Sequence, residues 1–387
     1  MTICNNEKCT GCGVCENICA HNAVKLMPNN RGFLYPVIET DKCVNCGLCK
    51  VKCTENNSLK HTSEQPRVYA AMSKQQKIRK ESSSGGIFPL IAKQIIRDDG
   101  VVFGVRWSEK FETEFFCATT EEQLEFLYGS KYIQAKTNKI YIQVKKLLQT
   151  DVTVLFCGTP CQVAALYNFL GCHYENLYTI DLVCHGVPSY EIFEKHLNEL
   201  SNNSISKIKN VNLRYKKPCW SYSSVKMDFS DGTYLKPTVE DAYYNLFNFN
   251  YTLRESCHKC RYTTVNRVSD ITLSDFWGFV PKNFKMRNFD NGVSCILINN
   301  EKGAELFEKI KSNIFYEESS IKLAKQANSS LTKPFEKPSN NQEFWTDYDN
   351  GMSIKDLNEK YITKPYRVPN LLWLRRIKRK YKWIFGK

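Results

Sequence analysis

No stretch of the 387-residue chain approaches eighteen consecutive apolar residues, so the sequence holds no segment able to cross a membrane as a helix. The opening MTICNNEKCTGCG lacks the basic-then-apolar pattern of a secretory signal, which points to the cytoplasm. Zinc-finger, helix-turn-helix and RNA-binding signatures are missing as well. The excess of 54 Lys+Arg over 40 Asp+Glu, a net charge of +14, is therefore a poor argument for nucleic acid. Neither a GxGxxG fingerprint nor a P-loop lysine occurs. Cysteine, by contrast, is abundant, with 18 residues. In a reducing compartment disulfides are improbable, so metal binding and redox chemistry are the leading explanations. The length exceeds what one compact core holds and predicts two domains with appendages. Contents of 42% hydrophobic and 24% charged residues allow a real buried core.

The first sixty residues carry one cysteine pattern twice. CTGCGVCENICA supplies Cys9, Cys12, Cys15 and Cys19, and CVNCGLCKVKC supplies Cys43, Cys46, Cys49 and Cys53. C-x2-C-x2-C-x3-C repeated in this way is the run that holds two iron–sulfur cubanes. Three closely spaced thiolates wrap three corners of one cube, and a short helix carries the fourth cysteine to the other cube. Cluster one is thus expected on Cys9, Cys12, Cys15 and Cys53, and cluster two on Cys43, Cys46, Cys49 and Cys19. Gly11, Gly13 and Gly47 let the backbone turn tightly around the sulfurs. The proline usual after the fourth cysteine is Ala20 in one copy and Thr54 in the other, which loosens the turn and spares the ligands. Zinc on the same cysteines is the plain alternative, and the duplicated spacing disfavours it. Cys4 falls outside the pattern and reads as a bystander.

A polar linker, ENNSLKHTSEQP, closes this module near Leu59. From Arg67 onward strands and helices alternate, which predicts an α/β domain. RVYAAM, VVFGVRW, VTVLFC and LYTIDLVC read as strands, and helical spacing recurs at Ile87, Leu90, Ile91 and Ile95 and again from Ile140 to Leu148. PSYEIFEKHLNEL opens on Pro188-Ser189 and reads as a further helix. SVKMDFSDGTYLK predicts a hairpin turning at Asp231-Gly232, and with it a mixed sheet. ESSSGGIF places Ser82, Ser83, Ser84, Gly85 and Gly86 directly before a helix. Free backbone N–H groups at such a start suit a pyrophosphate. A serine N-cap with glycines in the turn explains the same residues.

CHKC gives Cys257 and Cys260, half of a further metal site. In open α/β sheets ligands gather beyond the carboxyl ends of strands. Cys157 and Cys184 end strands and Cys161 starts the next helix, so two missing ligands are sought among these three. Cys172 belongs to the opposite side. Cys117 and Cys295 sit inside strands and read as core, and Cys219 is unassigned.

Taken together, SSGGIF, GSKYIQA, FCGTPCQVAAL, DLVCHGVPS and CHKCRYTTVNRVSDITLSDFWG, following a double ferredoxin motif, resemble the coenzyme F420 hydrogenase/dehydrogenase beta-subunit family. The resemblance covers Cys9 to about Gly278 and weakly to Asn313. It implies an α/β domain that binds FAD and a third 4Fe-4S cluster, with the dicluster module as electron relay. It assigns the third cluster to Cys161, Cys184, Cys257 and Cys260. Ser83, Gly85 and Gly86, then Ser130, Lys131 and Tyr132, are similar to flavin-contacting loops. Asp270, Asp275 and Gly278 match the family's D-x4-D-F-W-G stretch. The resemblance implies hydride exchange with an organic partner, a deazaflavin coenzyme or an intermediate of polysaccharide synthesis, and an electron donor or acceptor protein. No acid or base is assigned, although His185 beside Cys184 is a candidate.

LLWLRRIKRKYKWIFGK at the carboxyl end sets Leu371, Leu374, Ile377, Tyr381, Ile384 and Phe385 at near-helical spacing among six Arg and Lys residues, with no acidic residue after Glu359. Such a helix suits an anionic membrane surface, its own protein's surface or an acidic partner. The reading is a cytoplasmic iron–sulfur flavoprotein oxidoreductase: a dicluster ferredoxin module over 1–59, a cluster- and FAD-binding α/β domain with a mixed sheet over 67–313, and an extension over 314–387 ending in a basic helix. Its rivals are an electron-carrier subunit without a substrate pocket, and a zinc-stapled, flavin-free accessory protein of polysaccharide assembly.

Overall fold

A computed structural model describes residues 2–59 and 65–363. The basic helix read over Leu371–Phe385 lies outside the described residues. In the N-terminal module, each cysteine loop runs into a short helix, Val14–Ile18 and Leu48–Val51. The residues before them, Gly13 and Gly47, take φ of 79° and 76°, a left-handed turn that a side chain would strain. Strands β1 (Val24–Pro28) and β2 (Leu34–Ile38) pair antiparallel between the two loops.

The α/β unit is built on nine strands: β3 (Arg67–Ser73), β4 (Val101–Trp107), β5 (Thr113–Ala118), β6 (Ala135–Lys136), β7 (Val154–Gly158), β8 (Leu177–Leu182), and, after a three-stranded excursion, three more. The excursion is β9 (Ile208–Cys219), β10 (Tyr222–Phe229) and β11 (Gly232–Pro237), and the remaining strands are β12 (Ile271–Asp275), β13 (Ser294–Ile298) and β14 (Ile314–Glu318). The spatial order of the large sheet is β14-β3-β13-β12-β8-β7-β4-β5-β6. Its centre, β12-β8-β7-β4, is parallel, which puts four carboxyl ends along one rim. The centre reads as continuous apolar runs because both faces are covered: Val154, Leu155 and Phe156 are all fully buried.

The sheet is mixed, as expected, yet for a different reason. The hairpin β10–β11 stays out of it and joins β9 in a separate sheet, while antiparallel pairing comes from β13, β3, β14 and β5. The hairpin register also sits one residue earlier, since Gly232 pairs with Phe229 and leaves Ser230-Asp231 as the loop. The sheet runs past residue 313, because β14 pairs with β3 from Ile314↔Ser73 to Glu318↔Tyr69.

Helices Ile87–Arg97 and Glu301–Ile310 cover one face of the large sheet. Ile140–Leu148 and Pro160–Leu170 cover the other, and Val14 of the ferredoxin module packs into that same core. The β9–β11 sheet forms a further core with Tyr190–Leu200, Ala242–Asn248 and Ile354–Tyr361. Ser189 caps Tyr190–Leu200 by accepting from the Ile192 N–H, as the Pro188-Ser189 opening implies.

Candidate functional site

The two copies of the cysteine motif meet opposite environments. Cys9, Cys12, Cys15 and Cys53 are buried together, and each is electrostatically coupled to the others. This is the set expected for cluster one. On the other loop Cys49 is coupled to Cys19 and Cys46, with Cys43 following the turn Thr40–Lys42. Cys46 is exposed and Cys43 and Cys49 are half-exposed. Cys4 joins the first set. Its thiol interacts with those of Cys53 and Cys9, which holds their pKa values low and drives its own far up. Nothing in the cysteine spacing signals that role.

A third set forms at the carboxyl rim of the large sheet. FCGTPC folds as β7, a turn, and the start of a helix. Pro160 takes the first helical position and Thr159 forms a capping box with Gln162. The turn aims Cys161 at Cys260 and Cys184, and Cys184 is in turn coupled to Cys257 and Cys260. Burial pushes the Cys184 thiol up to about 12 and Cys257 up to about 11, and it raises Cys161 and Cys260 as well. Cys157 belongs elsewhere. It packs against the core at the end of β7 and faces Lys131, with its thiol pushed up to about 12 by burial. Cys295 is fully buried in β13, Cys117 is half-buried in β5, and Cys172 is exposed beyond the helix end at Gly171.

The donor chemistry fits clusters that carry negative charge. Arg254 is fully buried, donates from Nε to the Cys9 carbonyl at 2.6 Å, and acts electrostatically on both Cys9 and Cys257. Its Nη2 finds no protein partner. Arg267, also buried, acts on Cys184 and Cys260 and leaves its Nε unpartnered, but the buried carboxylate of Asp181 already faces it at 4.0 Å, so Arg254 is the cation that lacks an anion. A buried cation with an idle donor is costly unless an anion faces it. Among the described residues no three His, Cys, Asp or Glu side chains draw together closely enough for a single metal ion. A cubane, by contrast, holds its thiolates at separate corners.

The third cysteine set opens onto a cleft of about 690 Å³. Cys157, Cys161 and Cys184 line it together with Ser83, Gly86, Ser130, Lys131 and Tyr132. Helix Ile87–Arg97 starts there at Gly86, φ 84°, and no side chain caps it. The serine-cap explanation does not hold in this geometry, because no side-chain oxygen accepts from the first N–H groups of the helix. Ser82 Oγ donates to the Ile78 carbonyl, Ser84 Oγ to the Val293 carbonyl, and Ser130 Oγ to Ser83 Oγ at 2.8 Å. Gly85 is not part of the cleft wall. A side chain there would meet the Ala71 carbonyl oxygen at 2.5 Å and the Ser294 nitrogen at 2.8 Å, so its role is close packing on β3 and β13.

Lys131 donates to the Tyr128 carbonyl at 2.9 Å, and burial pulls its pKa down to about 7. Two cleft-lining groups have no protein partner: Tyr128 Oη and Arg214 Nε. Arg214 is held by Asp275 at 3.0 Å and lies 4.9 Å from the Trp277 ring centre. Trp277 stacks on Trp220 at 4.6 Å, and Trp220 donates to Asp275 at 2.7 Å. The D-x4-D-F-W-G stretch therefore divides. Asp275 serves the cleft, whereas Asp270 accepts from Thr179 and Asn300 at the far end of β12. His185 lines the cleft with Nε2 2.8 Å from Asn250 Oδ1, and burial lowers its pKa to about 4.

Three thiol sets, two of them in a ferredoxin-like module packed on an α/β domain, define an iron–sulfur electron-transfer protein. Comparison with known proteins gives the families of its two parts. Residues 8–57 match the 4Fe-4S dicluster domain. Residues 151–323 match the carboxyl-terminal part of the coenzyme F420 hydrogenase/dehydrogenase beta subunit, so this part of the chain carries the domain of that oxidoreductase-related family. The match includes Cys161, Cys184, Cys257 and Cys260. No curated protein matches the chain. Among solved structures it is similar to a chain of the F420-reducing [NiFe] hydrogenase complex from Methanosarcina barkeri, with 16% identity and a TM-score of 0.48 over 80% of this chain and 97% of that one.

Proposed function

We propose that the chain is a flavin-dependent iron–sulfur oxidoreductase with three 4Fe-4S clusters and FAD. The observation that carries this reading is that one cleft is lined both by an uncapped helix start and by two cysteines of the third set. Bound there, FAD would supply the exchange between one-electron chemistry and hydride transfer to an organic partner. The chain's own residues supply placement. N–H groups at the start of Ile87–Arg97 meet a pyrophosphate without a competing cap, and the Ser83–Ser130 pair fixes the loop that presents them. A volume of about 690 Å³ falls in the range of cofactor sites. Tyr128 and Arg214 contribute unpartnered polar groups to orient a ligand.

The cleft favours an enzyme over a carrier without its own pocket. The organic partner is a deazaflavin coenzyme or an intermediate of polysaccharide synthesis, and the basic tail over 371–387 is available for peripheral contact with an anionic membrane. Anaerobic purification followed by acid release tests the flavin directly. About one FAD per chain is expected. Protein with a full complement of iron and no flavin would overturn this half of the reading.

A further inference from the structure

The two ferredoxin loops correspond residue by residue: Thr10 to Val44, Val14 to Leu48, Cys15 to Cys49 and Asn17 to Val51. On the first loop this surface is an interface. Val14 is 1% exposed in the core formed by Ile140, Tyr141 and Val163, and Asn17 is held by the Asn138 carbonyl and the Tyr141 N–H. On the second loop the same surface is bare. Val44, Leu48 and Val51 are 58%, 45% and 60% exposed, around the exposed Cys46. Three neighbouring apolar side chains left in water at the rim of a redox site mark a contact surface.

The charges around it identify the occupant. Lys25, Lys42 and Lys50 border the loop, against Glu39 and Asp41, while Lys52 turns toward Gly171 of the α/β domain. Glu39 is shared by Lys25 and Lys42, while Lys50 pairs with no carboxylate among the described residues. A second copy would set lysine against lysine. An acidic protein would meet both the apolar centre and the basic border.

We infer that the Val44–Leu48–Val51 surface docks a small acidic protein that carries single electrons. This rests on the reading that the second cysteine set holds a cluster, since that is what a carrier would exchange an electron with. No bond forms or breaks in the contact: the carrier loses one electron and the chain gains it, or the reverse.

The test uses the full chain, purified anaerobically, with an acidic bacterial two-cluster ferredoxin as probe. Calorimetry should give a Kd that weakens at least about tenfold between roughly 0.05 and 0.5 M salt, as electrostatic attraction is screened. The Leu48→Gln/Val51→Gln variant and, separately, the Lys50→Glu variant should each weaken binding about tenfold or more, with iron content unchanged. Unaltered affinity in both variants would overturn the surface, as would a concentration-dependent dimer of the parent chain that both variants abolish. Loss of iron from the parent protein would instead refute the cluster reading on which the surface rests.

Discussion

The hydroxyl of Tyr141 donates to the backbone carbonyl of Cys12 at 2.7 Å. It also lies 3.3 Å from the carbonyl of Gln162, the residue after Cys161. A single fully buried phenol thus ties the first cysteine loop to the third set, where Cys12 and Cys161 already feel each other's charge. Tyr141→Phe keeps the ring and removes the tie, leaving the Cys12 carbonyl without this buried donor. The expected loss is about 1–3 kcal/mol of stability. Anaerobic thermal unfolding should show a lower Tm at unchanged iron content, with slower electron passage from module to α/β domain. An unchanged Tm would mean that the bond contributes nothing net.

Gly85 and Ser83 separate folding from flavin binding. Because a Cβ at Gly85 meets backbone atoms of both β3 and β13, Gly85→Val should lower the yield of folded protein whatever occupies the cleft. Ser83→Ala with Ser130→Ala removes only one hydroxyl pair beside the helix start. Circular dichroism should be unchanged while FAD content falls. Stoichiometric FAD in the serine variant would place the flavin elsewhere.

Lys131 makes stability depend on pH. Its pKa is pulled down to about 7 from the ordinary lysine value, so between about pH 7 and about 10.5 the unfolded chain carries a proton that the folded one lacks. Stability from this group therefore rises with pH across that window and is lowest below it. Buried Lys216, also pulled down to about 7, adds a slope of the same sign. Lys131→Met should flatten the rise of Tm between about pH 7 and 9.5 without abolishing it. An identical slope in parent and variant would show that Lys131 stays charged.

Much of this organisation is legible in the sequence because it is local. The cubane spacing and the alternating strands and helices follow from short runs of residues, whereas strand ends alone leave Cys157, Cys161 and Cys184 together and only the family resemblance sets Cys157 apart. What escapes is contact between distant segments. The role of Arg254 arises only when the module docks, those of Cys4 and Arg267 only when their own units fold, and a lone arginine or cysteine has no spacing to reveal it. Gly85 stands beside cleft residues in the chain, although its environment is two strands rather than the cleft. The hairpin at Ser230-Asp231 has a clear local signal, but that signal does not say which sheet it joins.

The account turns on the division of FCGTPC between a ligand and a packing residue. Iron counting after anaerobic purification tests it most directly, on the parent chain and on the Cys161→Ser and Cys157→Ser variants. Three cubanes require about twelve irons in the parent, about eight after Cys161→Ser, and about twelve after Cys157→Ser. About eight irons in the parent, or loss of about four only in the Cys157 variant, would contradict the assignment.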